Sequence, residues 1–454
     1  MKKVLSVIIG KIVIIIGKTV HKGSSLPGTI ASKIDNKLIY KFKLPKTVIA
    51  VTGSSGKGST TKLIYYVYKN LGYTIAYNSS GSNLKDGILT TLIENSSAFG
   101  KIKKDILLVE MDERYAKYVF PAIKPNYVVI TNITRDQPPR QGDFDLVFKE
   151  IEKAITPDMH LVLNGDDPYL QKFVLNKKNK VTYFGIGKNK YSTNKNKFEN
   201  LNLIYCPKCN NKLTYDFYHF ENIGSYKCTH CGVSRPDCDY GVKKIDYENN
   251  VITLNNDIKL NIPFGMLYAV YNTMAAFTTL AINNLDLETI TKVMNDIIIK
   301  NKSLNCFEAN DRLIYTLNNK NENSTTFNQS LLFIERDKQP KAIVIGWKEI
   351  SRRYKFNDLS WLYDINFELL QKHDVEKVVC VGLERFDIAT RIKLAGINSN
   401  KIICFKNLED TTTYLKNKTK SNIYAILNFD YVKPFISHMK GDIKWLELHI
   451  YTMI

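Results

Sequence analysis

Two stretches of this 454-residue sequence hold residues whose types and spacing can do chemistry. The first is TGSSGKGST, residues 52–60. Gly53 and Gly56 let backbone N–H groups close on a phosphate, a helix start adds partial positive charge, and Lys57 neutralises β- and γ-phosphates. With Ser54, Ser55, Gly58, Ser59 and Thr60, these residues form a candidate cradle for ATP. Phosphoryl transfer also needs Mg²⁺ and carboxylates to hold it. Glu110, Asp112 and Glu113 close one apolar run, Asp136 follows another, and Asp166 and Asp167 follow a third. They predict an acidic ring opposite the loop, with Glu110 as the preferred catalytic carboxylate and Mg²⁺ ligand.

The second stretch is Cys206-x2-Cys209-x18-Cys228-x2-Cys231. Two Cys-x-x-Cys knuckles at this separation suit the tetrahedral thiolate set of a zinc ribbon. Four thiolates leave no open position, so the expected Zn²⁺ is structural. His230, between two ligands, reads as a bystander, and Cys238 as a spare thiol.

Elements must place these residues. KTVIAV (46–51) is a β-rich run that Gly53 and Gly56 interrupt, and Thr60 to Leu71 then carries helical spacing. DILLVEMDE (105–113), NYVVITNITRDQ (126–137) and HLVLNGDDP (160–168) are further strands with polar residues at their carboxyl ends. Strands alternating with helices predict an α/β fold with a doubly wound parallel sheet, binding ligand at those ends. MLYAVYNTMAAFTTLAI (266–282) is a helix. From about residue 303 the alternation resumes, in KAIVIGW (341–347), KVVCVG (377–382) and NIYAILNF (422–429), as a smaller α/β domain. The expected units are an N-terminal helical segment (1–45), a nucleotide-binding domain (46–302) with the ribbon inserted at 200–240, and a C-terminal domain (303–454).

The N-terminal run MKKVLSVIIGKIVIIIGKTVHKG has lysines seven apart, which share one face of an amphipathic helix. It is short for a bilayer span, and no small-residue cleavage site follows. Packing on the protein body is the first expectation, lying on a membrane surface the second. Eight cysteines are too few for a disulfide scaffold and fit a reducing, cytoplasmic setting. The charge of +20 invites a nucleic-acid or anionic-membrane reading. Much of it sits in Lys/Asn stretches such as KNKYSTNKNK (188–197), which read as solvated loops, and YDFYHF (215–220) is aromatic but not basic, so no nucleic-acid partner is expected.

TGSSGKGSTT, VEMDE, VITNITRDQ, LNGDDP and YNTMAA resemble, in order and spacing, the Mur ligase superfamily. The cysteine insertion, GSSLPG and DLSWLYD narrow the resemblance to the MurT family, the Mur-ligase-like subunits of lipid II isoglutaminyl synthases. The resemblance implies a Mur-ligase-like ATP-binding middle domain and ATP-dependent amidation of the D-glutamate α-carboxylate in the lipid II stem peptide through an acyl phosphate. It also implies ammonia from a GatD-like glutamine amidotransferase subunit in a heterodimer, and work at the inner face of the membrane. It places Asn272 at the family's nucleotide-contacting Asn. It gives Asp358, before Ser-Trp, the task of orienting the partner's catalytic His, with Asp364 as the other candidate. Four departures stand out. Gly58 follows Lys57 where the family usually has Thr, a form similar to folylpolyglutamate synthases, so the Mg²⁺ hydroxyl falls to Ser59 or Thr60. The family's Phe-Gly-Arg is replaced by NCFEANDR (305–312), and its Asn-Pro-x-Gly and Ala-Asp-Gly by KNENST (320–325) and YKFN (354–357). An amino-acid-adding ligase, a diverged homologue and a zinc-ribbon nucleic-acid-binding ATPase remain as alternatives.

Overall fold

The computed structural model describes residues 1–19, 25–79, 81–134, 144–175, 178–198, 204–297, 304–318, 324–348, 358–372 and 374–440. The chain opens with α1 (Lys2–Thr19) and α2 (Leu26–Ile34). It then alternates through β1 (Thr47–Thr52), α3 (Lys57–Asn70), β2 (Ile75–Tyr77), α4 (Lys85–Glu94), β3 (Ile106–Glu110), α5 (Ala116–Ile123), β4 (Tyr127–Ile130), α6 (Phe144–Glu152), β5 (His160–Asn164) and β6 (Val181–Ile186). The ribbon hairpin follows as β7 (Thr214–Phe220) and β8 (Ile223–Lys227). Next come β9 (Tyr240–Asp246), β10 (Val251–Leu254), β11 (Lys259–Asn261), α7 (Leu267–Ala281) and α8 (Leu287–Asp296).

These strands form a nine-stranded sheet in the order β11-β10-β9-β6-β5-β4-β1-β3-β2. It is parallel from β2 to β9, whereas β10 and β11 run antiparallel at one edge, so the sheet is mixed rather than wholly parallel. The period-2 alternation of a strand buried on both faces divides its side chains between two cores. Val48, Ala50, Leu107 and Val109 pack in the core beneath α1, α2, α4 and α5. Ile49, Val51, Ile106 and Leu108 pack in the core with α3, α7 and α8. Strand β1 lies between β3 and β4, and the chain runs to one side of it and then to the other. Its carboxyl end is therefore a topological switch point, where such sheets open a crevice.

The second unit begins with the hairpin β12 (Leu304–Ala309) and β13 (Arg312–Asn318). It continues with α9 (Ser324–Arg336), β14 (Lys341–Trp347), β15 (Val375–Gly382), α10 (Arg385–Leu394), β16 (Ile402–Phe405), α11 (Leu408–Lys418), β17 (Asn422–Leu427) and α12 (Phe429–Lys440). Its six strands run β12-β13-β17-β14-β15-β16, parallel except for the first pair. NCFEANDR is part of the hairpin here, its tight turn carried by Asn310 and Asp311 at positive φ.

The ribbon lies against both units. From its turn, Asn222 Nδ2 donates to Asp167 Oδ1 (3.5 Å), and the Gly224 N–H to the Asp166 carbonyl (3.0 Å). On the other side Asn328 of α9 donates to Glu221 Oε1 (2.8 Å) and to the Asp364 carbonyl (3.1 Å). Asn366 donates to the Lys197 carbonyl (2.5 Å), and Lys197 pairs with Glu335 (2.9 Å). Phe198, Phe220, Phe264 and Met266 share a core with Phe327, Trp347 and Trp361 of the second unit. A cavity of about 220 Å³ sits at this junction, lined by Tyr191, Tyr218, His219, Tyr247, Phe333 and Arg336 among others, and by none of residues 53–60.

Candidate functional site

The loop after β1 turns through Gly53 (φ +124°) and Gly56 (φ +82°), both in the left-handed region that favours glycine. A Cβ on Gly53 would collide with Thr131 and Asn132, and one on Gly56 with Asn272 Oδ1. The loop is clamped from the segment after β4. The Ser54 N–H donates to the Asn132 carbonyl (3.0 Å), and the Ser55 N–H to Asn132 Oδ1 (3.0 Å). Asn132 Nδ2 and Thr131 Oγ1 donate to the Ser55 carbonyl (3.1 and 2.6 Å), while Ser54 Oγ donates to the Thr134 carbonyl (3.0 Å). Two loop N–H groups are thus already used, and the first turn of α3 offers further donors for an anion. A helix start leaves such groups without intrahelical acceptors, and its dipole favours negative charge.

Lys57 opens α3 and folds back over the loop. Its ammonium donates to the Gly53 and Ser54 carbonyls and pairs with Glu113 at 2.9 Å. Both side chains are nearly buried, at 12% and 4% exposure. Burial pulls the Lys57 ammonium down, but Glu113, with Asp112 and Glu110 behind it, more than offsets this and holds it above its ordinary value. Glu110 ends β3 beside the first turn of α3. The Asn78 side chain clasps both backbone groups of Glu110, accepting from its N–H (2.9 Å) and donating to its carbonyl (2.8 Å). Asn83 reaches Glu110 Oε1 at 3.4 Å. A Cβ on Gly58 would lie 3.1 Å from Glu110 Oε2, so the glycine after the lysine keeps space between helix and carboxylate. Ser59 is exposed, whereas Thr60 is fully buried and its hydroxyl has no partner. Asn272, on buried α7, stands over Gly56.

The acidic ring does not assemble as expected. Asp112 is engaged by Arg114 (3.1 Å), and among the described members Glu110 and Glu113 are the ones against the loop. Asp166 is fully buried at the ribbon's base, where it accepts from Arg235 (2.7 Å), Tyr271 (2.8 Å) and the Ile186 N–H (2.7 Å). Asp167 caps a 3₁₀ turn through the Tyr169 N–H (2.9 Å), and burial raises its carboxyl to about 7. Asp136 lies outside the described residues, as do KNEN of KNENST and all of YKFN. Sequence reasoning passed over Asn78 and Asn132 as individual site residues; their signal was their place just past the ends of β2 and β4.

The Sγ atoms of Cys206, Cys209, Cys228 and Cys231 all lie within 4.8 Å of one another, a group that could hold a metal ion. The two knuckles match bond for bond. The Cys206 N–H donates to the Asn211 carbonyl and the Cys228 N–H to the Val233 carbonyl, each at 2.7 Å. Asn210 and Gly232 N–H groups donate back to the Cys206 and Cys228 carbonyls, both residues at positive φ (58° and 77°). Lys208 N–H and Asn211 Nδ2 point at Cys206 and Cys209 Sγ (3.4 Å each), the donors a thiolate favours. Cys238 stands apart beside Arg235 (3.4 Å). Phe217, Phe220 and Tyr226 are buried and Tyr215 stacks on Tyr218 at 4.3 Å, whereas Tyr205, beside Cys206, is exposed.

In the second unit Asp358 is exposed and accepts the Ser360 N–H at 2.9 Å, opening a 3₁₀ turn whose Trp361 is buried. Trp361 packs on Trp347 and Phe327 (5.2 and 5.4 Å between ring centres), which anchors DLSWLYD to the core. Phe386, Leu383, Tyr363 and Phe429 are exposed, three of them just past the carboxyl ends of β15 and β17. No described helix is long and apolar enough to cross a membrane.

Residues 51–280 match the Mur ligase middle domain family, and residues 321–431 the MurT ligase C-terminal family. The chain is 28% identical over 428 residues to the lipid II isoglutaminyl synthase (glutamine-hydrolyzing) subunit MurT of Staphylococcus aureus (strain COL), covering 92% of this chain and 93% of that one. The same subunit of Streptococcus pneumoniae is 28% identical over 419 residues, 91% and 92% of the two chains. Among solved structures, a pseudomurein peptide ligase type C from Methanothermus fervidus superposes with a TM-score of 0.69 at 19% identity, covering 89% of this chain and 81% of the other. MurF ligase from Thermotoga maritima in complex with ADP superposes at 0.59 and 17%, covering 91% and 83%. These two carry the fold.

Proposed function

The chain belongs to the Mur ligase family, and on that premise we propose that it is the ATP-using subunit that amidates the D-glutamate α-carboxylate of the lipid II stem peptide. A GatD-like glutamine amidotransferase supplies the ammonia. The observation that carries this reading is the joint presence of the Lys57 loop, with Glu110 and Glu113 against it, and a MurT-type C-terminal unit.

The residues fit a nucleotide. First-turn N–H groups of α3 and the Lys57 ammonium converge where phosphates would lie, Asn272 stands over Gly56, and Glu110 lies across from Gly58. With nucleotide bound, Lys57 would exchange Glu113 for the phosphates, and Glu110 would hold Mg²⁺. Of the two hydroxyls, Ser59 is the one a hydrated ion reaches, because Thr60 is sealed from solvent. ATP supplies the phosphoryl group that converts the substrate carboxylate to an acyl phosphate, from which ammonia displaces phosphate. Glu113, once released, remains beside Lys57 and keeps the lysine charged through the cycle. Cys206, Cys209, Cys228 and Cys231 hold a structural Zn²⁺, all four positions being filled by protein.

Asp358 reaches the partner subunit and orients its catalytic histidine, as a carboxylate does in a hydrolytic triad. Its exposure and its place on a turn anchored by Trp361 support that role over Asp364, which is half-buried. The exposed apolar residues past β15 and β17 offer the partner a surface. The test is reconstitution of the chain with a GatD-like glutaminase and lipid II, measuring amidation with glutamine and with free ammonia. Asp358→Asn is expected to abolish the glutamine-dependent rate and keep the ammonia-dependent one. Absence of amidation with either nitrogen source, alongside tight binding of nucleic acid, sinks the reading.

A further inference from the structure

We propose that α1, with the Phe99 turn beside it, is a docking surface for a bilayer that carries anionic lipids. Helix α1 has two opposed faces. At about 100° per residue, Ser6, Val7 and Gly10 fall together, and these are its buried residues. They pack α1 on α2 and α4, where a Cβ on Gly10 would press on Ile93 at 2.9 Å. Half a turn away lie Leu5, Ile8, Ile12, Ile15 and Ile16, exposed at 52, 42, 50, 65 and 56%. A helix that packs on its protein normally turns its charged face to water; this one turns a second apolar face outward.

Two further large apolar side chains are exposed on segments packed beside α1. Phe99 is 75% exposed on a turn closed by the Gly100 N–H to the Ser97 carbonyl (2.9 Å), and Gly100 abuts the Lys3 side chain. Leu26, at the start of α2, is 52% exposed. Charge selects the occupant. Residues 1–34 contain six lysines and no Asp or Glu, and Lys101, Lys103 and Lys104 follow Phe99. Lys18 is paired with Glu94 (2.8 Å), and no described carboxylate engages Lys2, Lys3 or Lys11. An exposed apolar helix face flanked by cations matches the boundary between acyl chains and anionic headgroups. A second copy of the chain would instead set two lysine-rich rims against each other. The docking surface stands on α1 alone. Its bearing on catalysis, bringing the crevice to a lipid-borne substrate, rests on the ligase reading above.

Flotation of the full chain with substrate-free vesicles tests the surface separately from the chemistry. The chain is expected to float with vesicles of mixed phosphatidylglycerol and phosphatidylcholine, more weakly with phosphatidylcholine alone, and less at high salt. Ile12→Glu with Ile15→Glu is expected to lower partitioning at least about tenfold while leaving the melting temperature unchanged, since neither side chain packs inward. Lys2, Lys3 and Lys11 changed together to Gln should remove the preference for anionic vesicles and keep the residual apolar binding. The proposal falls if the wild-type chain stays unbound, or if the double glutamate variant floats as well as wild type. It also falls if the wild-type chain is a dimer that this variant dissociates, which would make a second copy the occupant.

Discussion

Replacing Glu113 by Gln should make the protein less stable and its nucleotide affinity higher. The Lys57–Glu113 pair is 2.9 Å long and nearly buried at both ends, so a phosphate can take the lysine only by breaking it. Hydrogen bonds between charged partners contribute about 1.5–3 kcal/mol net, and that amount is withheld from nucleotide binding in the native sequence. With tenfold in affinity per about 1.4 kcal/mol, Glu113→Gln should tighten Mg-ADP binding by about 10- to 100-fold. The nucleotide-free variant should lose a similar free energy, read from urea denaturation, because the buried Lys57 ammonium keeps the Gly53 and Ser54 carbonyls but has a neutral amide in place of its carboxylate partner. Its alkaline behaviour should change as well. The lysine is held above its ordinary 10.5 in the folded chain, so its contribution is whole below that value and is lost as pH rises through the folded one. Without Glu113, burial dominates and the alkaline loss begins earlier. Glu110→Gln is the contrast: it should weaken Mg²⁺ dependence without tightening ADP. Calorimetric titration of ADP into the three proteins decides the matter. Unchanged or weaker ADP binding by Glu113→Gln refutes the competition argument.

Two further outcomes are expected. Burial holds the carboxyls of Asp167 and Glu221 up at about 7, against ordinary values of 3.8 and 4.5. The unfolded chain therefore gives up these protons first, and stability should fall as pH rises from about 4 to about 7 and then level off; Asp167→Asn and Glu221→Gln should each flatten urea midpoints plotted across that range. Metal analysis should find one zinc per chain. Cys228→Ser should lose it and expose the ribbon between residues 204 and 231 to protease, because a structural zinc supplies folding free energy that so small a hydrophobic cluster cannot replace.

The nucleotide loop was legible because its chemistry is local: glycines, lysine and helix start lie in one run. The cysteine quartet was legible for the same reason, since each knuckle is closed by bonds within six residues of its first cysteine. Long-range pairing was not. Glu113 and Asp112 look equivalent in sequence, yet Arg114 takes one and Lys57 the other. Asp166 and Asp167 resembled metal ligands because they follow a strand, but the ribbon inserted after β6 brings Arg235 and Asn222 onto them. The antiparallel β10 and β11 escaped notice because a strand's direction depends on its neighbour, not on its residues. The N-terminal apolar run gave amphipathicity but not two opposed faces, which emerge only once α2 and α4 cover one of them.

The ribbon's bonds to both units restrict how the molecule can move. The two sheets are joined covalently between α8 and β12, and joined again where Glu221 meets Asn328 and Asn366 meets Lys197. Opening of the crevice over Lys57 must therefore strain these bonds and the core that Phe198 and Phe220 share with Phe327 and Trp361, so part of the resistance to that motion lies in a lobe that touches none of the reacting groups.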